Sequence, residues 1–338
     1  MIIPQLYEDE LLYSFIARYE VWNGITADTV AMYNLYGKSH EFAFFDLPVD
    51  LESFMVRTGI SVDYLIHEAT LFDYYSVFKS DETREAALRM ICGNQINRIR
   101  YALGVKTNKI TTPKYARFCP KCREEELKKY GESYWHRMHQ VTGILICPKH
   151  RCMLNNSRLL YSNNNNYITT PNEWICFPKK NDLELCKREF LLACEIGKDI
   201  QWLFKNYNTV IKSDYLIQKL YLLKVTEAGF NLRDSYIHDE FLDKFISYYG
   251  RNLLNEWNFD PCTFWVYRIL YGLSCHTLSH VLLIHFLFGS MENLFNSINS
   301  VSYTEKGWDN KTWDTRMNNI MWNAERYLKK SKDRLVYK

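Results

Sequence analysis

The stretch Arg117–His150, RFCPKCREEELKKYGESYWHRMHQVTGILICPKH, decides how the middle of this chain folds. It opens with Cys119-Pro-Lys-Cys122 and closes with Cys147-Pro-Lys-His150, so each end has two metal-ligand residues separated by two others. This spacing lets a tight turn present two ligands to one ion, and the proline helps to fix the turn. Three thiolates and one imidazole fill the tetrahedral shell of zinc. The pattern therefore predicts a structural zinc ribbon, or zinc finger, with no open position for water or substrate.

Three neighbouring residues leave alternatives to this interpretation. Cys152 can replace His150 as a ligand, although its spacing fits less well. His136 and His139 are either catalytic groups beside the metal, as in a hydrolase, or residues that pack inside the ribbon. No His-Glu-x-x-His pattern occurs in the chain, which favours packing.

A second group of histidines, His276, His280 and His285, lies in the apolar segment HTLSHVLLIHFLF. The first two are four residues apart and can share a metal on one helix face. Leu, Val, Ile and Phe surround them, and we expect no acidic partner. They are predicted to be core histidines.

The composition indicates a globular and mostly helical protein. Of 338 residues, 47% are apolar, 24% are charged and 16% are aromatic, while glycine and proline are few. The length indicates two or three domains. No nucleotide-binding phosphate loop, Gly-x-Ser-x-Gly or Gly-x-Gly-x-x-Gly motif occurs. A nuclease or transposase that uses scattered carboxylates stays open.

The compartment follows from the N-terminus and the cysteines. The start MIIPQLYEDELL has no basic region and contains acidic residues, unlike a secretory signal. The apolar run Val281–Gly289 is far shorter than the ~20 residues of a membrane span. The chain is expected to be cytoplasmic and bacterial. There its ten cysteines stay reduced, and close pairs favour metal over disulfide.

Helical patterns flank the metal-ligand stretch, and the predicted fold class is mainly α. The helical N-terminal domain, residues 1–110, begins with a helix-turn-helix-like hairpin over residues 5–36, broken at Asn23-Gly24 and capped at Thr26. Further predicted helix ends are Asp50, Gly59, Ser61, Ser80 and Gly104.

The zinc-binding domain is predicted over residues 111–182, with strands at Arg158–Tyr161 and Tyr167–Thr169 and an Asn-rich linker. A second helical domain, also helix-turn-helix-like, is predicted over residues 183–300, with a break at Gly229 and a helix from about His238. Residues 301–338 form a C-terminal tail.

The residues between the ligands resemble the TniQ/TnsD family, the target-selection proteins of Tn-seven-like transposons. The family pattern runs Cys-Pro-x-Cys, Tyr-Gly-Glu-x-Tyr-Trp-x-Arg, His-Gln, Gly and Cys-Pro-x-His. The residues that carry it here, besides the four ligands, include Tyr134, Trp135, Arg137, His139, Gln140 and Gly143. YEDELLYSFIARYEVWNG, LIHEATLFDYYSVF, LLKVTEAGF and HTLSHVLLIHFLFG are also similar to family segments, so the resemblance covers about residues 4–290.

Two departures from the family pattern stand out. Val141-Thr142 occupies the place where a proline before the glycine is common, and Arg151-Cys152 the place where glycine often follows the last ligand. Neither changes the four ligands.

The resemblance implies a non-enzymatic protein that marks the insertion site and recruits the AAA+ ATPase regulator TnsC, which engages the transposase. TnsD-type members bind a specific attachment sequence in double-stranded DNA. TniQ-type members act instead as adaptors that dock on a CRISPR effector complex. A zinc-containing transcription regulator is the alternative from another class.

Basic residues are concentrated beside the metal ligands. The formal net charge is only +3, but residues 98–129 contain ten Lys or Arg against three Glu. Charge gathered in one segment suits phosphate contacts, which position a protein on DNA without reading its sequence. The predicted DNA-contacting residues are Arg98, Arg100, Lys106, Lys109, Lys114, Arg117, Lys121 and Arg123. The hairpin helix at 27–36 is nearly uncharged, and the one at 238–249 is acidic. Neither is therefore predicted to read bases.

Overall fold

The computed structural model describes residues 2–38, 45–93, 96–105, 110, 112–161, 168–177, 184–228, 239–261, 263–270 and 275–302. These ranges are mostly helical with one small sheet, which confirms the predicted fold class. The helices are α1 (Leu12–Asn23), α2 (Asp28–Tyr36), α3 (Leu51–Thr58), α4 (Val62–Ala69), α5 (Phe72–Ser76), α6 (Asp81–Cys92), α7 (Ile96–Ala102), α8 (Pro120–Tyr130), α9 (Arg137–Gln140), α10 (Lys187–Lys205), α11 (Tyr207–Ile211), α12 (Asp214–Glu227), α13 (Asp239–Tyr249), α14 (Arg251–Glu256), α15 (Thr263–Leu270), α16 (Thr277–Phe288) and α17 (Met291–Ser302).

The sheet consists of strand β1 (Tyr115–Phe118) and strand β2 (Asn155–Leu160), which pair antiparallel on either side of the metal-ligand stretch. Tyr115 lies opposite Leu160, and Phe118 lies opposite Asn155. The strand predicted at 158–161 is confirmed in its larger part. The candidate at 167–169 is wrong for residues 168 and 169, which lie outside any strand, and Tyr167 lies outside the described residues.

The first helix begins later than predicted, at Leu12 instead of residue 5. The preceding backbone pairs with the metal-ligand stretch: the Leu11 amide donates to the Trp135 carbonyl at 3.0 Å, and Glu10 forms an antiparallel bridge with His136. Because these partners lie more than 120 residues away, local periodicity could not reveal them.

The helix caps agree with prediction where the capping contact is local. Ser61 accepts a hydrogen bond from the Tyr64 amide at the start of α4, and Ser80 accepts one from the Thr83 amide at the start of α6. Asp50 lies at the N-cap of α3, but its side chain makes no capping bond. The prediction of Thr26 as a cap is wrong, since Ala27 occupies that position in α2.

One apolar core runs through the three predicted domains. Buried residues of the N-terminal helices, the metal-ligand stretch and the C-terminal helices belong to a single contiguous cluster. Buried hydrogen bonds cross it: the Tyr74 hydroxyl donates to the Thr142 carbonyl, and the Thr277 hydroxyl donates to the Tyr74 carbonyl, both at 2.6 Å. The division into domains stays a prediction. Gly229, His238 and the tail from residue 303 lie outside the described residues.

In the part of the chain that the structure describes, no single helix is both long and apolar enough to cross a bilayer. One pair, Thr277–Phe288 with Met291–Ile298, meets that length and composition only when combined, and it is bent by 71°.

Candidate metal centre

The first pair of ligands is presented by the start of a helix. Cys119 is the N-cap of α8, and its sulfur accepts a hydrogen bond from the Cys122 amide at 3.5 Å. Pro120 occupies the first turn, where its missing N–H costs nothing and its fixed φ favours the helix. The helix N-terminus favours negative charge, so this position stabilises a thiolate.

The second pair lies on a tight hairpin turn. The Cys147 sulfur accepts from the His150 amide at 3.4 Å, and the Cys147 carbonyl accepts from the Arg151 amide at 2.8 Å. The chain then returns: the Cys147 amide donates to the Cys152 carbonyl at 2.8 Å. Both ligands are therefore fixed by backbone hydrogen bonds.

The structure brings together the four residues predicted as ligands. Donor atoms of Cys119, Cys122, Cys147 and His150 all lie within 4.8 Å of one another, and the three cysteines are buried. The closest measured pairs are 3.3 Å (Cys122 Sγ to His150 Nδ1), 3.5 Å (Cys119 Sγ to His150 Nδ1) and 3.7 Å (Cys122 Sγ to Cys147 Sγ). A regular tetrahedron around zinc places sulfur and nitrogen ligands roughly 3.5–3.8 Å apart, so these residues fit one metal ion.

A carboxylate supports the imidazole from outside. The Nδ1 atom of His150 faces the sulfurs, and its Nε2 lies 2.9 Å from Glu125 Oε1. The other oxygen of Glu125 pairs with Lys149. A hydrogen bond from Nε2 to a carboxylate fixes the tautomer and leaves Nδ1 free to bind a metal. Sequence reasoning did not identify Glu125.

The two intervening histidines are held by protein groups. His136 Nε2 lies 2.5 Å from Glu126, and its Nδ1 lies 3.3 Å from Asp9. Burial alone would lower the pKa of His136, but hydrogen bonds with these carboxylates raise it to about 9, so the ring is an imidazolium. Burial holds the pKa of His139 well below its usual value, so that ring is neutral. His136 is therefore held in ion pairs and His139 packs as a neutral ring, while the non-catalytic interpretation stays a prediction.

Cys122, Glu126 and His136 also have donor atoms within 4.8 Å of one another. The close Glu126–His136 contact already satisfies both groups as an ion pair. The arrangement therefore needs no second metal.

A series of stacked and tilted rings connects the surface to the cysteine cluster. Ring centroids are 4.4 Å apart for Tyr130 and Tyr7, 4.9 Å for Tyr7 and Tyr134, 4.5 Å for Tyr134 and His136, and 4.5 Å for His136 and His139. His139 Nε2 then lies 4.0 Å from Cys122 Sγ. Tyr7 inserts into this stack from the N-terminal segment, which therefore forms part of the metal unit.

A buried charge network ties α1 to the same unit. Arg18 donates to Glu10 at 2.8 Å and to Glu132 at 2.9 Å, and its guanidinium lies 3.9 Å from the Tyr7 ring centroid. Glu132 also accepts from the Trp22 indole N–H at 2.9 Å. Arg18 and Glu10 are fully buried. The partners are far apart in sequence, so the sequence carries no local signal for this network.

Removing the Arg18 charge is expected to destabilise the fold in a pH-dependent way. Arg18→Met leaves Glu10 buried without its partner, which costs about 3–5 kcal/mol when Glu10 is ionised. Burial already raises the pKa of Glu10 to about 7 against the attraction of Arg18, and loss of Arg18 raises that pKa further. Because the folded state then holds the proton more tightly than the unfolded state, acidification favours folding. Relative to wild type, Arg18→Met should unfold at a much lower urea concentration near pH ~8, and the difference should be smaller near pH ~5.5.

The matched control is Arg18→Met combined with Glu10→Gln, which has no carboxyl to titrate at this place and should lose the pH dependence. Equal losses for Arg18→Met at both pH values would contradict this account of Glu10.

The remaining family-motif residues make hydrogen bonds within the fold. The Gln140 side chain accepts from the Arg117 amide at 2.9 Å and donates to the Arg117 carbonyl at 2.7 Å, which fixes β1 against α9. Trp135 is buried and donates through its indole N–H to the Thr169 carbonyl at 2.8 Å. The Tyr134 hydroxyl donates to the Glu8 carbonyl, and Arg137 donates to the His67 carbonyl.

Gly143 marks the place where the metal unit meets the C-terminal helices. Its φ is +110°, and a β-carbon built there would lie 2.8 Å from Leu278 Cδ1 and 2.9 Å from Ile200 Cδ1. Its carbonyl accepts from the Trp257 indole N–H at 3.1 Å. Only glycine meets these demands without a shift of its neighbours.

The predicted DNA-contacting residues separate into groups. Arg98, Lys114 and Lys121 are exposed, whereas Lys106 and Lys109 lie outside the described residues. Arg117 is buried and donates to the carbonyls of Val141 and Ile144, Arg100 pairs with buried Asp46 at 2.5 Å, and Arg123 donates to the Pro171 carbonyl at 2.9 Å. The exposed residues stay candidates for phosphate contacts, whereas Arg100, Arg117 and Arg123 are hydrogen-bonded within the fold, against the prediction.

The histidines of α16 are buried, as predicted, but one of them has an acidic partner. His285 Nδ1 lies 2.7 Å from Asp199 on α10, which corrects the expectation of none. His276 accepts from the Leu278 amide, and His280 stacks on Phe78 at 4.4 Å. Burial lowers the pKa of His276 and His280 to about 3, so both rings are neutral packing groups.

Together, these features define a mainly helical protein built around a candidate centre of three cysteines and one histidine. A family model described as TniQ matches residues 1–154, and one described as Tn7-like transposition protein D matches residues 196–320. The chain is 32% identical over 155 residues to Transposon Tn7 transposition protein TnsD of Escherichia coli; the match covers 45% of this chain and 30% of that relative's length. The chain belongs to the TniQ/TnsD family.

Proposed function

We propose that this chain is a non-enzymatic target-site selector of DNA transposition. It binds double-stranded target DNA in the bacterial cytoplasm and recruits the AAA+ ATPase TnsC, and through it the transposase. The observation that supports this proposal best is the pair of family matches, TniQ at residues 1–154 and the Tn7-like protein D at residues 196–320. The curated relative is itself a transposition protein by name.

Zinc is the proposed metal, and its role is structural. Three thiolates and an imidazole in near-tetrahedral arrangement are a common zinc shell. The shell leaves no position for substrate, so metal binding contributes to folding and not to turnover. Cys119, Cys122, Cys147 and His150 would hold the ion, with Glu125 orienting the imidazole.

The proposed DNA surface consists of exposed lysines on both sides of β1. Lys114 lies just before the strand, and Lys121 lies in the first turn of α8, both exposed to solvent. A lysine ammonium at either place favours a phosphate oxygen. Arg98 on α7 is a third exposed cation. These groups fit contacts to the DNA backbone, while the reader of base sequence stays unassigned.

Replacing both lysines is expected to weaken DNA binding and its dependence on salt. Each phosphate contact contributes roughly 0.9 to the slope of log K against log salt concentration, so Lys114→Ala/Lys121→Ala should lower that slope by about 2. Fluorescence anisotropy with duplex attachment-site DNA at several salt concentrations measures it. The matched control is Lys244→Ala, an exposed lysine on α13 paired with Glu240. An unchanged slope would remove these lysines from the DNA surface.

Helix α2 has two exposed apolar residues that suit contact with a protein partner. Val30 and Tyr33, one turn apart, are 49% and 58% exposed, and α2 carries no basic residue. Exposed apolar residues without cations suit a protein surface better than phosphates.

A guide-RNA effector complex is the second candidate partner, because the family match at residues 1–154 is to TniQ. Footprinting of purified protein on candidate attachment DNA, followed by retention of TnsC on that DNA, tests the proposal. Retention that requires this chain supports a DNA-binding selector. No footprint, together with tight binding to an effector complex, would establish the adaptor role instead.

A further inference from the structure

One further cysteine lies beside the candidate metal centre, outside the four donors that all lie within 4.8 Å of one another. Besides the four residues of the centre, Cys152 places its sulfur 3.5 Å from Cys119 Sγ. That separation equals the 3.5 Å between Cys119 Sγ and His150 Nδ1. Two donors therefore lie at similar distances from the same buried sulfur.

These two donors are at the outer edge of the cluster. Cys119, Cys122 and Cys147 are 1%, 4% and 0% exposed, whereas His150 and Cys152 are both half-buried. The three buried sulfurs form a fixed base for a metal ion. His150 and Cys152 are the donors less deeply buried than these sulfurs.

The hairpin that carries Cys147 also brings Cys152 back to the cluster. The Cys152 carbonyl accepts from the Cys147 amide at 2.8 Å, and the next residues form the Ile146–Met153 bridge. Arg151 bends the chain between them with a φ of +48°, an uncommon conformation for a residue other than glycine. The backbone therefore holds Cys152 beside the cluster whether or not its sulfur is a ligand.

The His150 imidazole is held in place by an exposed carboxylate. Its supporting carboxylate, Glu125, is 52% exposed and is shared with Lys149, which is 66% exposed. Exposed ion pairs contribute little stability and are readily exchanged with water. Displacement of the imidazole therefore breaks a hydrogen bond to an exposed carboxylate.

We propose that Cys152 is a reserve ligand, which takes the fourth position on the metal when His150 leaves it. The inference rests on the proposed metal centre. In the exchange the His150 nitrogen–metal bond breaks, the Cys152 thiol releases its proton to solvent, and a sulfur–metal bond forms. Neither the metal nor any sulfur changes oxidation state. Zinc accepts Cys₃His and Cys₄ shells alike, so the ion is retained with one more negative charge in its shell.

Metal binding by four forms of the full chain tests this inference: wild type, His150→Ala, Cys152→Ser and the double variant. Each is dialysed against a chelator and its zinc content measured. Cobalt(II) loading then reports the number of bound thiolates through the intensity of sulfur-to-metal charge-transfer absorption. Wild type and Cys152→Ser should keep one equivalent with the same cobalt spectrum. His150→Ala should keep one equivalent with stronger charge-transfer absorption, and the double variant should lose the metal.

Two results would overturn the reserve role. One is loss of metal from His150→Ala as complete as from the double variant. The other is loss of metal from Cys152→Ser alone, which would make Cys152 a primary ligand. If the double variant does not fold, the cobalt spectrum of His150→Ala decides, because absorption no stronger than that of wild type excludes a fourth thiolate. A wild-type chain without metal would instead refute the proposed centre itself.

Discussion

Replacement of both cysteines of the first pair, Cys119→Ser/Cys122→Ser, is expected to abolish metal binding and unfold the middle of the protein. Only Cys147, His150 and Cys152 remain as donors, and all three lie on one hairpin. Structural zinc contributes about 10–16 kcal/mol in small zinc-binding peptides, which exceeds the net stability of an ordinary domain. The loss of structure should extend to the flanking helices, because the cysteines of the centre belong to the core that the helices share.

Metal content after dialysis and far-ultraviolet circular dichroism measure this result. The matched control is Cys176→Ser/Cys194→Ser, which removes two thiols, one buried and one half-buried, that lie outside the cluster. The control should keep one equivalent of metal and its helices. A first-pair variant that retained one chelator-resistant metal ion would contradict the proposed ligands.

Substitution of Gly143 is expected to have the next largest effect. In Gly143→Ala the new methyl group meets Leu278 and Ile200 at under 3 Å, and the residue must keep a φ of +110°. Backbone strain of this kind costs about 1–3 kcal/mol, and overpacking adds about 1–3 kcal/mol. We expect a total loss of about 3 kcal/mol in the free energy of unfolding. Denaturant unfolding followed by tryptophan fluorescence measures it.

Gly131→Ala separates the two causes of this loss. Gly131 ends α8 with a φ of +76°, but a β-carbon there meets nothing within 4 Å. Its substitution should cost only the conformational strain, about 1 kcal/mol. Equal losses for the two variants would show that contact with the C-terminal helices contributes nothing at Gly143.

The sequence identified the parts of the molecule that local chemistry determines. The spacing of Cys119, Cys122, Cys147 and His150 predicts one site because each pair needs only a single turn to converge. The sequence predicts Ser61 and Ser80 as caps because their partners lie three residues away. Helices with strong apolar periodicity were likewise predictable.

The rest depends on contacts between distant residues. Arg117 looks like a surface cation in a basic segment, yet its guanidinium donates to two buried carbonyls. His285 has its acidic partner 86 residues away in Asp199. Charge density and periodicity describe residues that are close together in the sequence. Neither shows which distant residues bury a charged side chain in the folded protein.

The pairing of the N-terminal segment with the metal unit has a consequence for biosynthesis. Tyr7 and Arg18 reach Glu132 across 125 and 114 residues. A ribosome therefore completes α1 long before Glu132 exists, and until then Arg18 has only Glu10 as a counter-charge. Chaperone binding, premature termination of translation or a bulky fusion at the first residue would each interfere with these contacts before Glu132 is made. Residues 7–18 are synthesised before the metal unit but reach these native contacts only after it has been made.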